Sequence, residues 1–185
     1  MRIVAGAWRG RSLVAPPTPK NATAATRPTS DRVRQALFDM LSHAPWAGRE
    51  AIMGATVLDA FAGTGALGLE ALSRGAAFAH FIEPNRAALA ALRANIATLQ
   101  AAARIHAADA RHPPAGTPCT LVFLDPPYGQ GLVEQALAAL GTAGWIAPGA
   151  IIVAETGRDE ELAPYGTPLA ERVHGAARLT VLRAN

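Results

Sequence analysis

The chain has 185 residues, half of them apolar, which suits one domain with a substantial core and excludes a disordered or fibrous chain. Its one cysteine, Cys119, excludes an internal disulfide and offers no metal cluster, and no apolar run is long enough to span a membrane, so the cytoplasm is the expected compartment. The net charge of +3 hides an asymmetry: residues 1–50 hold eight basic and three acidic groups, a balance of +5, while the rest hold nine and eleven, so the basic excess is local and marks a footprint for a polyanion.

In chain order, Met1-Arg-Ile-Val-Ala5 and Arg11-Ser-Leu-Val-Ala15 flank Gly6-Ala-Trp-Arg-Gly10. Two short apolar runs around a glycine-flanked turn predict a β-hairpin with Trp8 and Arg9 near its tip. Residues 16–30 are rich in Pro, Thr and Asn and read as a loop. Ser30 is a good N-cap for a helix running to about Leu41, with Val33, Leu37, Met40 and Leu41 on one face, and Pro45 and Gly48 end that segment. Seven of the eight basic residues in this region are arginine, which favours bidentate phosphate contacts.

From Thr56 strands and helices alternate. Strands are predicted at 56–60, 78–83, 104–108, 119–125 and 149–155, and helices at about 65–74, 86–100 and 131–141. That alternation implies a parallel sheet with helices on both faces. Two further strands, about 168–173 and 177–183, close the chain around a turn near Gly175.

Two segments carry chemistry. In Val57-Leu-Asp-Ala-Phe-Ala-Gly-Thr-Gly-Ala-Leu-Gly68 a strand enters a glycine loop and a helix, and Gly63, Gly65 and Gly68 fit G-x-G-x-x-G. With Glu83 about twenty residues on, the spacing suggests NAD. Asp59, just before the loop, argues otherwise, because a carboxylate there repels a pyrophosphate and attracts an ammonium group. An adenosyl ligand with an amino-acid tail, S-adenosylmethionine, fits better. Glu83 would then accept from the ribose hydroxyls, and Asp109 would take the adenine amine with backbone help from Ala108 or Ala110. The second segment is Asp125-Pro-Pro-Tyr128, at the end of the apolar run from Cys119 to Leu124. The prolines fix a stiff turn, Asp125 and the Pro126 carbonyl offer two acceptors, and Tyr128 supplies a flat face. That set suits a planar base held by its exocyclic amine.

With these motifs the chain resembles class I S-adenosylmethionine-dependent methyltransferases, and more closely the bacterial 16S ribosomal RNA guanine-N2 methyltransferases. The specific part of the match is Arg2-Ile-Val-Ala-Gly-Ala-Trp-Arg-Gly-Arg11 with Arg27-Pro-Thr-Ser-Asp-Arg-Val-Arg34. It is joined by Asp59 through Gly75 and by Asp125 through Tyr128. The resemblance implies an α/β, Rossmann-like fold with a mostly parallel seven-stranded sheet and helices on both faces. It implies a basic hairpin-and-helix extension over residues 1–50 and a methyltransferase domain over 51–185. Asp59, Phe61, Gly63, Gly65, Glu83, Asp109 and Ala110 would line the cofactor site. Asp125, Pro126, Pro127 and Tyr128 would form the catalytic loop. Arg2, Trp8, Arg9, Arg11, Arg27, Arg32 and Arg34 would meet RNA. The expected partner is 16S rRNA of the small subunit, met by a monomer without a metal. The chain departs from the family pattern at Gly129-Gln-Gly131, which lacks a basic residue, and at His174, where an aromatic residue is expected.

The residues leave other readings open. Asp-Pro-Pro-Tyr also permits adenine-N6 methylation of RNA or DNA, the glycine loop permits an NAD-dependent oxidoreductase, and the basic N-terminus permits a non-catalytic RNA-binding assembly factor.

Overall fold

The apolar runs at Val57, Ala79, Leu121 and Ile151 have few polar interruptions, the pattern of strands covered on both faces. In the computed structural model, which describes residues 1–16, 31–47 and 49–185, they form the middle of a seven-stranded sheet. The strands are β1 (Thr56–Asp59), β2 (Phe78–Ile82), β3 (Ala103–His106), β4 (Cys119–Leu124), β5 (Ile146–Gly157), β6 (Thr167–His174) and β7 (Ala177–Arg183). Their spatial order is β3-β2-β1-β4-β5-β7-β6. The first five run parallel, and β7 is antiparallel to both β5 and β6. The chain order reverses between β1 and β4, the place where open α/β sheets hold ligands beyond their carboxyl ends.

Among the described residues four α-helices accompany the sheet: α1 (Asp31–His43), α2 (Ala66–Ser73), α3 (Arg86–Leu99) and α4 (Leu132–Thr142). The start of α3 is well specified. The Asn85 side chain accepts from the N–H groups of Ala87 and Ala88 at 2.9 and 3.1 Å, satisfying two donors that a helix start leaves unpaired. The Ser30 cap expected for α1 lies outside the described residues.

Helices lie on both faces, but unequally. Leu37 and Phe38 of α1, Leu69 of α2 and Leu92 of α3 pack with Val57, Phe81 and Phe123 on one side. Among the described residues α4 is the one helix on the other, where Val133, Leu137 and Leu140 meet Leu58, Val122 and Ile152. The connection from β3 to β4 contains Pro113, Pro114, Gly116 and Pro118 and forms no helix. Trp145 fills that place. Its indole N–H donates to the Pro114 carbonyl at 2.9 Å, and a Cβ on Gly116 would meet the ring at 2.6 Å. His80 and His106 stand edge-on to the same indole, their ring nitrogens 3.1 Å apart, and burial pushes both imidazoles below their usual range.

Most boundaries fall within one residue of the sequence expectation, and those of α1, β3 and β5 differ by more. β3 stops at His106 rather than 108, and α1 continues to His43. β5 starts at Ile146 and takes in Pro148 and Gly149, accommodated by a register shift against β4 between Cys119 and Leu121.

The N-terminal segment forms a minimal hairpin. It makes one antiparallel bridge, Arg2 with Ser12, supported by Ile3 N–H to Arg11 O and Gly10 N–H to Ile3 O, both 2.9 Å. Its tip is not free. Ala7 N–H donates to the Ser73 carbonyl at 2.7 Å and Trp8 N–H to Ser73 Oγ at 3.0 Å, while Ile3 and Leu13 are buried in the core. Gly6 is required here: it has φ 81°, and a Cβ would lie 1.8 Å from the Ser73 carbonyl oxygen.

Candidate active site

Side chains alternate across a strand, so neighbours that pack on known faces fix where the strand-end acids point. Val57, Phe81, Phe123 and Val153 belong to the core under α1, α2 and α3, whereas Leu58, Ile82, Leu124 and Ala154 belong to the core under α4. Continuing the alternation sends Asp59, Glu83, Asp125 and Glu155 to the first side. The ladders give their heights: Asp59 pairs with Phe81 and Phe123, so Glu83 and Asp125 lie two residues nearer the carboxyl edge, and Leu124 pairs with Ala154, which sets Glu155 level with Asp125. Carboxylates therefore gather on one side of the carboxyl edge across β2, β1, β4 and β5, with Asp59 set deepest.

Asp59 is 2% exposed, and its Oδ2 accepts from Gly68 N–H at 3.0 Å. Burial pushes its carboxyl up to about 7; the Gly68 hydrogen bond opposes the shift and the Glu83 charge adds to it. The three glycines do different work. A Cβ on Gly68 would lie 2.4 Å from the Phe81 ring, and one on Gly65 (φ 83°) 2.5 Å from Leu92, so both permit close packing of α2. A Cβ on Gly63 would meet nothing within 4 Å, so that side of the loop is open.

Glu83 is tied to the loop itself. One carboxylate oxygen accepts from Gly63 N–H at 2.8 Å and the other from Asn85 N–H at 2.7 Å, which joins the glycine loop to the start of α3. Asp109 lies past β3 and forms a fork with the exposed Arg111, with Nε at 3.0 and 3.1 Å. That guanidinium holds the Asp109 carboxyl below the usual range. Phe61 and Ala110 both pack in the core cluster on the α4 side.

Past β4, Asp125 is half-buried, Pro126 buried, and Pro127 and Tyr128 exposed. The Tyr128 hydroxyl donates to Glu155. Burial raises the Tyr128 phenol far above its ordinary value, and the charges of Glu155 and Asp125 add to the effect. The following loop has its own clamp. Glu160 accepts from the N–H groups of Gly129 at 3.0 Å, Gly131 at 3.1 Å and Gly157 at 3.1 Å. A carboxylate thus fixes the Gly-Gln-Gly turn that departs from the family pattern. A cavity of about 750 Å³ opens beside it, lined by Tyr128, Gly129, Arg158, Glu160 and Gly175.

Neither Glu155 nor Glu160 is singled out by sequence. Glu155 had a signal, since it ends an apolar run in the same way as Asp59, Glu83 and Asp125. Glu160 had none, because its partners are backbone groups brought near only by the fold.

Among the N-terminal residues, Arg9, Arg11 and Arg32 are exposed, and Arg2 is exposed beside Asp31 at 3.4 Å. Arg27 lies outside the described residues. One expectation needs correction. Arg34 is 0% exposed; it lies 2.8 Å from Asp31 and 3.6 Å from Glu70, and donates to the Arg2 carbonyl. It is an internal cation and does not present its guanidinium to a phosphate. Trp8 lies in the hairpin turn, as expected, with its side chain partly buried against the core.

Among the described residues no group of His, Cys, Asp and Glu is arranged to hold a metal ion, and no helix is long and apolar enough to cross a membrane.

The 3-2-1-4-5-7-6 sheet, with a glycine loop and an acid at the point of reversal, defines a Rossmann-like class I methyltransferase fold. The family model described as conserved hypothetical protein 95 matches residues 1–182, and the chain belongs to that family. Ribosomal RNA small subunit methyltransferase D of Escherichia coli (strain K12) is 46% identical over 159 residues, which is 84% of this chain and 74% of that protein. The solved Escherichia coli protein yhhF, described as a methyltransferase, matches at 39% identity with a TM-score of 0.83, covering 100% of this chain and 98% of that one. The Thermus thermophilus 16S rRNA N2 methyltransferase RsmC, solved with AdoMet and guanosine, shares the fold at 18% identity and a TM-score of 0.66, over 89% of this chain and 45% of that one.

Proposed function

We propose that this chain is an S-adenosylmethionine-dependent methyltransferase, acting as a cytoplasmic monomer on the exocyclic N2 of one guanosine in 16S rRNA of the small ribosomal subunit. The observation that carries the reading is the crevice at the β1–β4 reversal. Buried Asp59 and the glycine loop lie on one side of it, and Asp125-Pro-Pro-Tyr128 on the other, with both acids facing the same way. Membership of a family that includes small-subunit rRNA methyltransferases supports the substrate. Residues 1–50 act as the RNA-contacting extension and 51–185 as the methyltransferase domain.

The donor set fits the cofactor. Asp59 is a buried carboxyl whose only protein hydrogen bond among the described residues is to Gly68, which suits an ammonium partner. The open side of Gly63 leaves room for a ligand at the loop. Glu83 would meet ribose hydroxyls with its remaining lone pairs, and Asp109 would take the adenine amine after releasing Arg111. Phe61 and Ala110 would supply apolar walls. When bound, S-adenosylmethionine supplies a methyl group already made electrophilic by its sulfonium.

The protein's part is to orient the nucleophile. A guanine amine is a poor nucleophile because its lone pair is delocalised into the ring. Asp125 and the Pro126 carbonyl would accept its two N–H groups and direct the lone pair outward. The Asp125 carboxylate would stabilise the positive charge that develops on nitrogen. Pro127 stiffens the turn, and Tyr128 would stack on the extruded base.

The Asp59 carboxyl gives the cofactor a pH dependence. With a value of about 7 it is mostly protonated in acid, and only its anion attracts an ammonium group. Binding below neutrality therefore releases a proton. Affinity should rise by up to about tenfold per pH unit through the acid range and level off above about pH 8. In the free protein the same raised value works oppositely on folding: its contribution is present near the ordinary carboxyl value of 3.8 and is lost as pH rises toward 7. Calorimetric titration with S-adenosylhomocysteine from acid to alkaline pH measures the affinity, and a flat profile removes Asp59 from the ammonium.

Replacing Arg9 and Arg11 with Ala should weaken RNA binding. It should also lower the slope of log K against log salt by about 1.4–1.8, the value for two lost phosphate contacts. An unchanged slope in a filter-binding series would place the RNA elsewhere.

The function is tested by methyl transfer from labelled S-adenosylmethionine to unmethylated small subunits, free 16S rRNA and duplex DNA, with nucleoside analysis of the product. N2-methylguanosine in the ribosomal samples is expected. Label in N6-methyladenine or only in DNA overturns the substrate, and no label despite cofactor binding favours an RNA-binding factor.

A further inference from the structure

The structure assigns Glu155 a role that neither the motifs nor the family description supplies: it selects guanine by accepting the base's N1–H beside Asp125. This inference rests on the guanine-N2 reading above and goes one step further, to how the base is told apart.

Three observations place the group. Leu124 pairs with Ala154 on adjacent parallel strands, which lie about 4.8 Å apart, and Asp125, the first residue past β4, and Glu155 of β5 follow that pair. Both continue the alternation onto the same side of the sheet. The Tyr128 hydroxyl donates to one oxygen of Glu155, and the other oxygen makes no hydrogen bond among the described residues. Tyr128 thereby fixes the carboxylate next to the face on which the base would stack.

The chemistry of the base does the rest. Guanine carries N2–H donors and an N1–H donor on adjacent positions of one edge, so two neighbouring acceptors meet both at once. Adenine has a bare nitrogen lone pair at N1, and a carboxylate facing it gains no hydrogen bond and repels it. The Asp-Pro-Pro-Tyr turn alone accepts either amine. A second carboxylate one strand away supplies the difference. Burial pushes the Glu155 carboxyl up, and the hydrogen bond from the Tyr128 hydroxyl and the His174 charge oppose that shift. His174, which departs from the family pattern, then lies close enough to support this group.

The test uses the full chain and two RNAs that differ in the target base, guanine or 2-aminopurine. The latter keeps the N2 amine but has no N1–H. The wild type should prefer guanine in kcat/KM by about 10–100-fold, the worth of one hydrogen bond to a charged group. Glu155→Gln offers an amide that can donate to the bare N1, so its preference should fall to within about threefold of unity. Tyr128→Phe removes the hydroxyl that orients Glu155 and should lower the preference by a smaller factor, giving a second reading if the first variant folds poorly. S-adenosylhomocysteine affinity checks that each variant is folded. A role confined to stability would lower both rates together and leave their ratio alone. An unchanged ratio in both variants, with wild-type N2-methylguanosine still formed, overturns the assignment of Glu155. Absence of N2-methylguanosine from the wild type overturns the guanine reading itself, and the selector with it.

Discussion

Asp125→Ala should slow methyl transfer by about 10²–10³-fold, while S-adenosylhomocysteine still binds normally. This is the usual consequence of removing one positioned group that faces charge developing in the transition state. The loss should fall mainly on kcat. RNA is held chiefly through phosphates, which are distant from the reacting amine, so KM for RNA should move little. Asp125→Asn keeps one acceptor and removes the negative charge, so its rate should lie between those of the wild type and the alanine variant. Single-turnover kinetics with saturating cofactor separate the chemical step from product release. Turnover within about threefold of wild type in Asp125→Ala would end the proposed role of the loop.

Glu70→Leu should destabilise the fold by about 3–5 kcal/mol, the cost of breaking a buried ion pair from one side. Glu70 is fully buried on α2. Its carboxylate accepts from Val4 N–H at 2.7 Å, Ala5 N–H at 3.0 Å and Arg74 Nε at 2.8 Å, and lies 3.6 Å from Arg34 Nε. Removal takes one of the carboxylates beside the Arg34 guanidinium inside the protein, leaving Asp31 in place at 2.8 Å. It also takes the acceptor from two backbone donors of the N-terminal segment. For a chain of this length the expected fall in melting temperature is roughly 6–20 °C. Glu70→Gln retains the shape but replaces one acceptor with a donor, so it should recover only part of the loss. Thermal denaturation gives the magnitude. Proteolysis of the native protein should show faster cleavage near residues 4–15 in Glu70→Leu, and equal rates would mean that Glu70 does not hold that segment.

The sheet and glycine loop are legible because their causes are local. Leu121 to Leu124 and Ile151 to Ala154 are apolar without alternation, as strands covered on both faces must be. Gly65 and Gly68 are where α2 approaches Leu92 and Phe81 too closely for a side chain. Arg34 is misread because a tally of charge places every arginine in solvent. A signal was nevertheless available. Arg34, Leu37, Phe38 and Leu41 are spaced 3, 1 and 3 residues apart and form the buried face of α1, whereas the face through Val33 and Met40 is only half-buried. An arginine on an apolar face calls for a buried acid, and Glu70 lies thirty-six residues away, out of reach of local pattern. The uneven cover of the sheet was hidden for a similar reason. The prolines after β3 remove a helix, but the use of Trp145 in its place depends on a tertiary contact with Pro114.

Asn95 has a consequence for how a target is found. Its side chain, 2% exposed on α3, exchanges hydrogen bonds with both backbone groups of Val14, at 2.7 and 3.0 Å. It also donates to the Thr64 carbonyl in the glycine loop at 3.0 Å. With Glu70 of α2 gripping Val4 and Ala5, the basic segment is bolted at its two ends to the helices on either side of the glycine loop's fold, α2 and α3, and through Asn95 to the loop itself. On the proposed function the molecule would work as a caliper: RNA held at Arg9 and Arg11 would present to the crevice whichever nucleotide lies one fixed span away, and the folded RNA would have to supply the matching length.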